Sequence, residues 1–200
     1  MVKFNFAEKK VQCQIVYYGP PLSGKTTNLE IANTYLPKDR KGEMVSLETQ
    51  GDRTLYFDFM PLNIGKIKGF DITFSIYTVP GQVQYARTRK MVLQGVDGIV
   101  FVADSHSARM GSNIESLQDL VKNLEEEMHL SIEDIPLVFQ WNKRDLREIL
   151  TLEELESTLN PQRYPSFEAI ANKGVGVFPT LKQTVGMVIE KLKKGEARRD

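Results

Sequence analysis

The sequence predicts an α/β fold: a mostly parallel six-stranded sheet with one antiparallel hairpin at its edge and helices on both faces. Three observations lead there. Apolar, strand-like runs at 12–18, 54–60, 70–79, 96–103, 135–141 and 165–171 mostly alternate with helical patterns, as strand–helix–strand units require. The connection 61–69 between the second and third runs is too short for a crossover helix, so those two runs pair antiparallel. The first run ends at Tyr18 and passes directly into Gly-Pro-Pro-Leu-Ser-Gly-Lys-Thr-Thr (19–27), which fits the phosphate-loop pattern G-x-x-x-x-G-K-[ST].

Taken in order, the loop 19–27 turns backbone N–H groups inward and opens a helix, whose positive end faces the same phosphates. Gly19, Leu22, Ser23, Gly24, Lys25, Thr26 and Thr27 are the candidate phosphate contacts. Lys25 reaches the β- and γ-phosphates of a nucleoside triphosphate, and the Thr26 hydroxyl holds Mg²⁺. Leu29, Ala32 and Leu36 carry the helical spacing that the motif demands after it. Residues 37–53 form the longest stretch without a clear period and are expected to be a functional loop over the nucleotide, carrying Lys38, Arg40, Lys41 and Asp52. Ile114, Leu117, Val121, Leu124 and Met128, and then Leu181, Val185, Val188 and Leu192, each make one apolar helical stripe, and both stripes read as core.

Composition narrows the class. Lys plus Arg and Asp plus Glu both number 26, so no global field recruits nucleic acid. Two hundred residues with 41% hydrophobic content are enough to bury a core in a single domain, 1–200. The single cysteine, Cys13, lies in an apolar run and reads as a buried small hydrophobe in a reducing compartment. The sequence shows no signal-peptide pattern, no apolar run long enough to span a bilayer and no lipidation motif, so a cytoplasmic protein without lipid anchor or transmembrane segment is expected. His106 and His129 have no metal-ligand spacing and read as polar surface residues.

Asn142-Lys143-Arg144-Asp145 follows the apolar run 137–141 and fits N-K-x-D, the guanine-reading sequence of the GTPase superfamily. Asp145 can accept from guanine N1–H and the exocyclic amine, Asn142 can donate to N7, and Lys143 can lie over the ring. Adenine offers an acceptor at N1 and would leave the carboxylate badly paired, which favours GTP over ATP. Gly81-Gln82 closes the third run as in D-x-x-G-Q, with the glycine amide at the γ-phosphate and the glutamine orienting the attacking water, but Thr78 stands where that pattern has aspartate. Asp52 or Asp58 is a candidate for the missing carboxylate, acting through water. Ala171-Asn172-Lys173 sits where small GTPases support guanine O6 with a backbone amide, although Ile170 replaces their serine.

Together these motifs make the chain resemble a phosphate-loop NTPase of the Ras-like small GTPase superfamily. Lys-Gly-Glu-Met-Val-Ser-Leu (41–47), Asp-Arg-Thr-Leu-Tyr-Phe-Asp-Phe (52–59), Tyr-Thr-Val-Pro-Gly-Gln-Val (77–83), Arg-Lys (89–90), Gly-Val-Asp-Gly-Ile-Val-Phe-Val-Ala-Asp-Ser (95–105) and Asn-Lys-Arg-Asp-Leu (142–146) are similar to the bacterial gliding-motility and polarity GTPases of the MglA family. That resemblance implies a GTP/GDP switch with Mg²⁺, a switch I at about 37–54 and a switch II at about 78–92. In it, Thr54 resembles the switch I threonine that joins Thr26 on the metal, Arg53 an arginine supplied in cis to the transition state, and Gln82 the water-orienting residue. Lys25, Arg53 and Gln82 are then the catalytic candidates. The resemblance also implies a homodimeric roadblock-domain activator (MglB-like), polarity or motility effectors, and recruitment to a cell pole. Pro21, where these relatives carry glycine, crowds the γ-phosphate side and is expected to alter turnover. Two competing readings are a GTP-occupied adaptor with negligible hydrolysis and a small-molecule kinase, the latter disfavoured by the guanine-reading sequence.

Overall fold

The computed structural model describes residues 3–5, 7–48 and 56–196. Its strands are β1 (Lys3–Asn5), β2 (Lys10–Tyr18), β3 (Val45–Glu48), β4 (Tyr56–Ile67), β5 (Phe70–Thr78), β6 (Gly98–Asp104), β7 (Leu137–Asn142) and β8 (Ser166–Glu168). The helices are α1 (Lys25–Tyr35), α2 (Ala86–Leu93), α3 (Met110–Met128), α4 (Leu152–Leu159) and α5 (Val177–Glu196). The strands form one sheet in the order β3-β4-β5-β2-β6-β7-β8, with β1 paired antiparallel to β2. The β5-β2-β6-β7-β8 ladders are parallel, and β4 runs antiparallel to β5 and β3.

Alternation along the strands builds a core on each face. Val11, Cys13, Ile15 and Tyr17 of β2 pack with Leu29 and Ala32 of α1 and Leu181 and Val188 of α5. Val16 and Tyr18 point to the opposite face, with Leu93, Leu120, Leu124, Leu155 and Leu159 of α2, α3 and α4. β6 is buried along its whole length because helices cover both faces of a central parallel strand. Cys13 is a buried free thiol, and burial pushes its pKa up to about 12, consistent with a packing role.

The expected α/β class, the antiparallel pairing of the second and third runs and the helices on both faces are all present, with corrections. Residues 61–67 are not a connection but part of β4, so the turn into β5 is only 68–69. The sheet gains β1 and β3 beyond the six expected runs, giving eight strands among the described residues. The hairpin is therefore not the outermost element, since β3 lies outside β4. The stretch 37–53 is not wholly a loop. Gly42 N donates to Pro61 O at 3.0 Å, Asn63 N donates to Arg40 O at 2.7 Å, and 45–48 pair with 56–59, because the free edge of β4 offers backbone donors and acceptors that no local periodicity announces. The last expected run, 165–171, is a strand only at 166–168 and then turns into a short 3₁₀ segment at 171–173. Arg53, Thr54 and Asp52 lie outside the described residues. No helix among the described residues is long and apolar enough to cross a membrane.

Candidate functional site

The phosphate loop leaves β2 at Tyr18 and enters α1 at Lys25, in the crevice beyond the carboxyl ends of the parallel strands. Its glycines are required by position. Gly19 has φ 142°, and a Cβ there would lie 2.2 Å from Val102 O; Gly24 has φ 101°, and a Cβ would lie 2.2 Å from Asn142 Nδ2. Leu22 adopts φ 63° and projects its side chain into solvent. The Lys25 ammonium is buried and donates to Gly19 O at 2.9 Å and Pro20 O at 2.6 Å. Burial foremost, with the Arg89 charge second, pushes its pKa down to about 7. Ser23 Oγ is buried without a hydrogen-bond partner among the described residues. Thr27, which follows in the first turn of α1, is half-buried.

Beside the loop, one carboxylate collects three hydroxyls. Asp58 of β4 accepts from Thr26 Oγ1 at 2.6 Å and Thr78 Oγ1 at 2.7 Å on one oxygen, and from Ser46 Oγ at 2.8 Å on the other. Asp58 N also donates to Thr78 Oγ1 at 3.1 Å. Of the two carboxylates proposed to replace the one missing at position 78, Asp58 therefore stands against the Thr26 hydroxyl expected to hold Mg²⁺, one strand away from Thr78. Among the described residues no group of three or more His, Cys, Asp or Glu gathers as a metal cluster, so an ion here would draw on hydroxyl, carboxylate and phosphate oxygens, the donors Mg²⁺ prefers. Lys25, Thr26, Asp58, Thr78, Gly81 and Gln82 all line a cleft of about 300 Å³. Gly81 lies hard against the loop: a Cβ on it would meet Pro21 N at 2.3 Å.

At the opposite end, Asn142 closes β7 with its side chain buried. Its Nδ2 donates to Ser23 O at 2.7 Å, and its Oδ1 accepts from Ala171 N at 3.0 Å, so one amide ties the phosphate loop to the 171–173 turn. The second Nδ2 hydrogen of Asn142 is left for the bond expected to a purine N7, while the Ala171 amide is already used on Asn142 Oδ1. Asn172 follows within the same turn, exposed. Lys143, at φ 66°, donates to Asp104 Oδ2 at 2.8 Å. Asp145 pairs with Lys173 Nζ at 3.0 Å, which holds its carboxyl below the usual carboxylate range.

Three supports escaped sequence reasoning. Asp104, buried at the end of β6, receives Lys143 and lies 3.9 Å from Arg109 Nε, while Arg109 Nη2 donates to Pro21 O at 2.9 Å. Gln140 and Asn28 exchange hydrogen bonds at 2.8 and 2.9 Å inside the core, and Asn28 Nδ2 also donates to Gly24 O at 2.9 Å. Arg89 donates to the carbonyls of Pro80 and Gln82, at 3.2 and 2.5 Å. The available signal was a polar residue inside an otherwise apolar strand, as at Asp104 and Gln140. His106 caps a short turn, with Nδ1 accepting from Ala108 N at 3.1 Å, and His129 ends α3 at φ 53°.

Comparison with known proteins agrees with this geometry. The ADP-ribosylation factor family matches residues 2–194. Mutual gliding-motility protein MglA of Myxococcus xanthus (strain DK1622) is 50% identical over 191 residues, covering 96% of this chain and 97% of that protein. ADP-ribosylation factor-like protein 4A of Homo sapiens is 28% identical over 152 residues, 72% of this chain and 64% of that protein.

Proposed function

Because the chain belongs to the ADP-ribosylation factor family of small GTPases, which bind guanine nucleotide and hydrolyse GTP, we propose that it acts as a nucleotide-dependent switch in bacterial polarity or gliding motility, working in the cytoplasm and at a cell pole. The motility assignment rests on the MglA relative. All 200 residues are read as one domain, with the phosphate loop at 19–27, switch I at about 37–54, switch II at about 78–92 and base reading at 142–145 and 171–173. The observation that carries the reading is the Asn142 brace, which joins the phosphate loop and the base-reading turn into a single nucleotide cradle.

In this cradle the 19–27 loop, including Leu22, Ser23 and Thr27, holds the phosphates, and Lys25 exchanges its two carbonyl partners for β- and γ-phosphate oxygens. Bound Mg²⁺ would neutralise phosphate charge; Thr26 and Thr54 are its proposed direct protein ligands, and Asp58, already on Thr26, fits the carboxylate role that Thr78 cannot fill. Gly81 reports the γ-phosphate, Gln82 orients the attacking water, and Arg53 offsets charge in the transition state. Asn142, Lys143, Asp145, Ala171 and Asn172 read guanine. The proposed partner is a roadblock-domain homodimer that positions these groups, with polarity or motility effectors reading the outcome.

The test is single-turnover hydrolysis on nucleotide-free protein, with and without the roadblock partner and with ATP in competition. Slow GTP turnover that the partner accelerates, with ATP failing to compete, supports the switch. Partner-independent turnover removes the regulation, and effective ATP competition removes the base assignment.

A further inference from the structure

Switch II is tied to α3 through one of its own arginines. Arg89, in the first turn of α2, carries its charge into the interior, with only 5% of the residue exposed. Its Nη1 grips the carbonyls of Pro80 and Gln82, on either side of Gly81, while Nε donates to Asp119 Oδ2 of α3 at 2.8 Å. That same carboxylate oxygen accepts a hydrogen bond from Tyr18 OH, and Tyr18 OH accepts from Asn123 Nδ2 at 3.2 Å. Tyr18 is fully buried and immediately precedes Gly19 of the phosphate loop. A single α3 carboxylate therefore links the strand that carries the phosphate loop to the backbone that carries Gln82. Tyr18 and Asn123 sit in or beside the packed α2–α3 core, so the carboxylate has little freedom to drift.

Gly81 packs on Pro21 with no room for a Cβ, so a small displacement of the Pro80–Gln82 backbone changes where Gln82 lies relative to the phosphates. We infer that Arg89 and Asp119 are positioning residues for hydrolysis: they hold the Pro80–Gln82 backbone in register with the phosphate loop and act on turnover through Gln82, without touching nucleotide. The inference rests on the reading of Gln82 as the water-orienting residue.

A double-mutant cycle tests it, with single-turnover GTP hydrolysis and GDP affinity measured on the full chain as wild type, Asp119→Asn, Gln82→Ala and the double variant. Asp119→Asn keeps the shape but removes the charge facing Arg89, and is expected to slow turnover about tenfold, leave GDP affinity within about twofold and add nothing on top of Gln82→Ala. A merely structural Asp119 would instead weaken GDP binding as well, or slow both backgrounds alike; either result, or unchanged turnover, overturns the inference. The Gln82→Ala arm is read by itself: wild-type turnover there removes the role of Gln82 and the inference with it. Should Asp119→Asn fail to fold, Tyr18→Phe replaces it in the cycle, with a slowing of about threefold that disappears in the Gln82→Ala background expected and no slowing, or equal slowing in both, overturning the inference.

Discussion

The residues proposed to read the base and those proposed to hold the phosphates are built on opposite plans. Among the residues proposed to read a base, three are tied down by other parts of the protein: Asn142 between Ser23 and Ala171, Lys143 to Asp104, and Asp145 to Lys173. At the phosphate end the groups meant for ligand satisfy one another. Lys25 caps the carbonyls of its own loop, Asp58 collects Thr26, Thr78 and Ser46, and Gly81 leans on Pro21. A ligand meeting the first plan finds a shape in place, which favours selectivity. A ligand meeting the second must replace protein contacts with its own, and only such an exchange lets a terminal phosphate shift a conformational equilibrium.

The sharpest way to break this contrast is Asn142→Ala. It strands the Ser23 carbonyl and the Ala171 N–H, each at a cost of about 1–3 kcal/mol, so guanine-nucleotide affinity should fall on the order of 10²–10³-fold, with a lower unfolding temperature for the empty protein. Titration with a fluorescent GDP analogue measures this, and affinity within tenfold of wild type would mean that the base end is not preorganised.

The phosphate end should respond to pH instead. Lys25 titrates at about 7 when buried against its own loop, well below its ordinary value of 10.5, and phosphates favour the charged form. Above pH 7 nucleotide must therefore bring a proton in. Affinity should decline by up to about tenfold per pH unit between pH 7.5 and 9.5, and binding heats should reveal proton uptake through their dependence on buffer. The empty fold shows the opposite trend: the penalty for a buried charged lysine is fully present below pH 7 and fades as pH rises toward 10.5. A flat affinity profile would show that Lys25 stays charged without ligand.

Asp58→Asn tests the metal side of the same end. It is expected to raise the Mg²⁺ concentration needed to slow GDP release about tenfold while leaving Mg²⁺-free GDP affinity nearly unchanged. Equal Mg²⁺ dependence in both forms would return the missing carboxylate to Asp52. The smallest expected change in affinity belongs to Pro21→Gly, which frees space beside Gly81: GTP binding should stay within about threefold while turnover changes by more than that. Equal turnover would remove Pro21 from the account.

Much of this cleft was legible in the sequence because its recognition groups are contiguous. The loop proposed to wrap phosphates has its glycines, lysine and threonine in nine successive residues, 19–27, and the strand end proposed to read a base has its own in 142–145. Apolar stripes announced α3 and α5, and the shortness of 61–69 announced the antiparallel hairpin, although 61–67 proved to be strand rather than connection. The strand β3 was missed because 45–48 become a strand only where the edge of β4 receives them.

The supports belong to the tertiary structure alone. Asp58 meets Thr26 across 32 positions, Tyr18 meets Asp119 across 101, and Asn142 meets Ser23 across 119. Asp58, a polar residue inside the apolar run 54–60, was already a candidate carboxylate, but its partners were not legible, and nothing near Asp119 in the chain distinguishes it from a solvated carboxylate. What separates them is the low-dielectric, close-packed ground between strands and helices, where a polar group without a partner is costly and the fold itself supplies that partner.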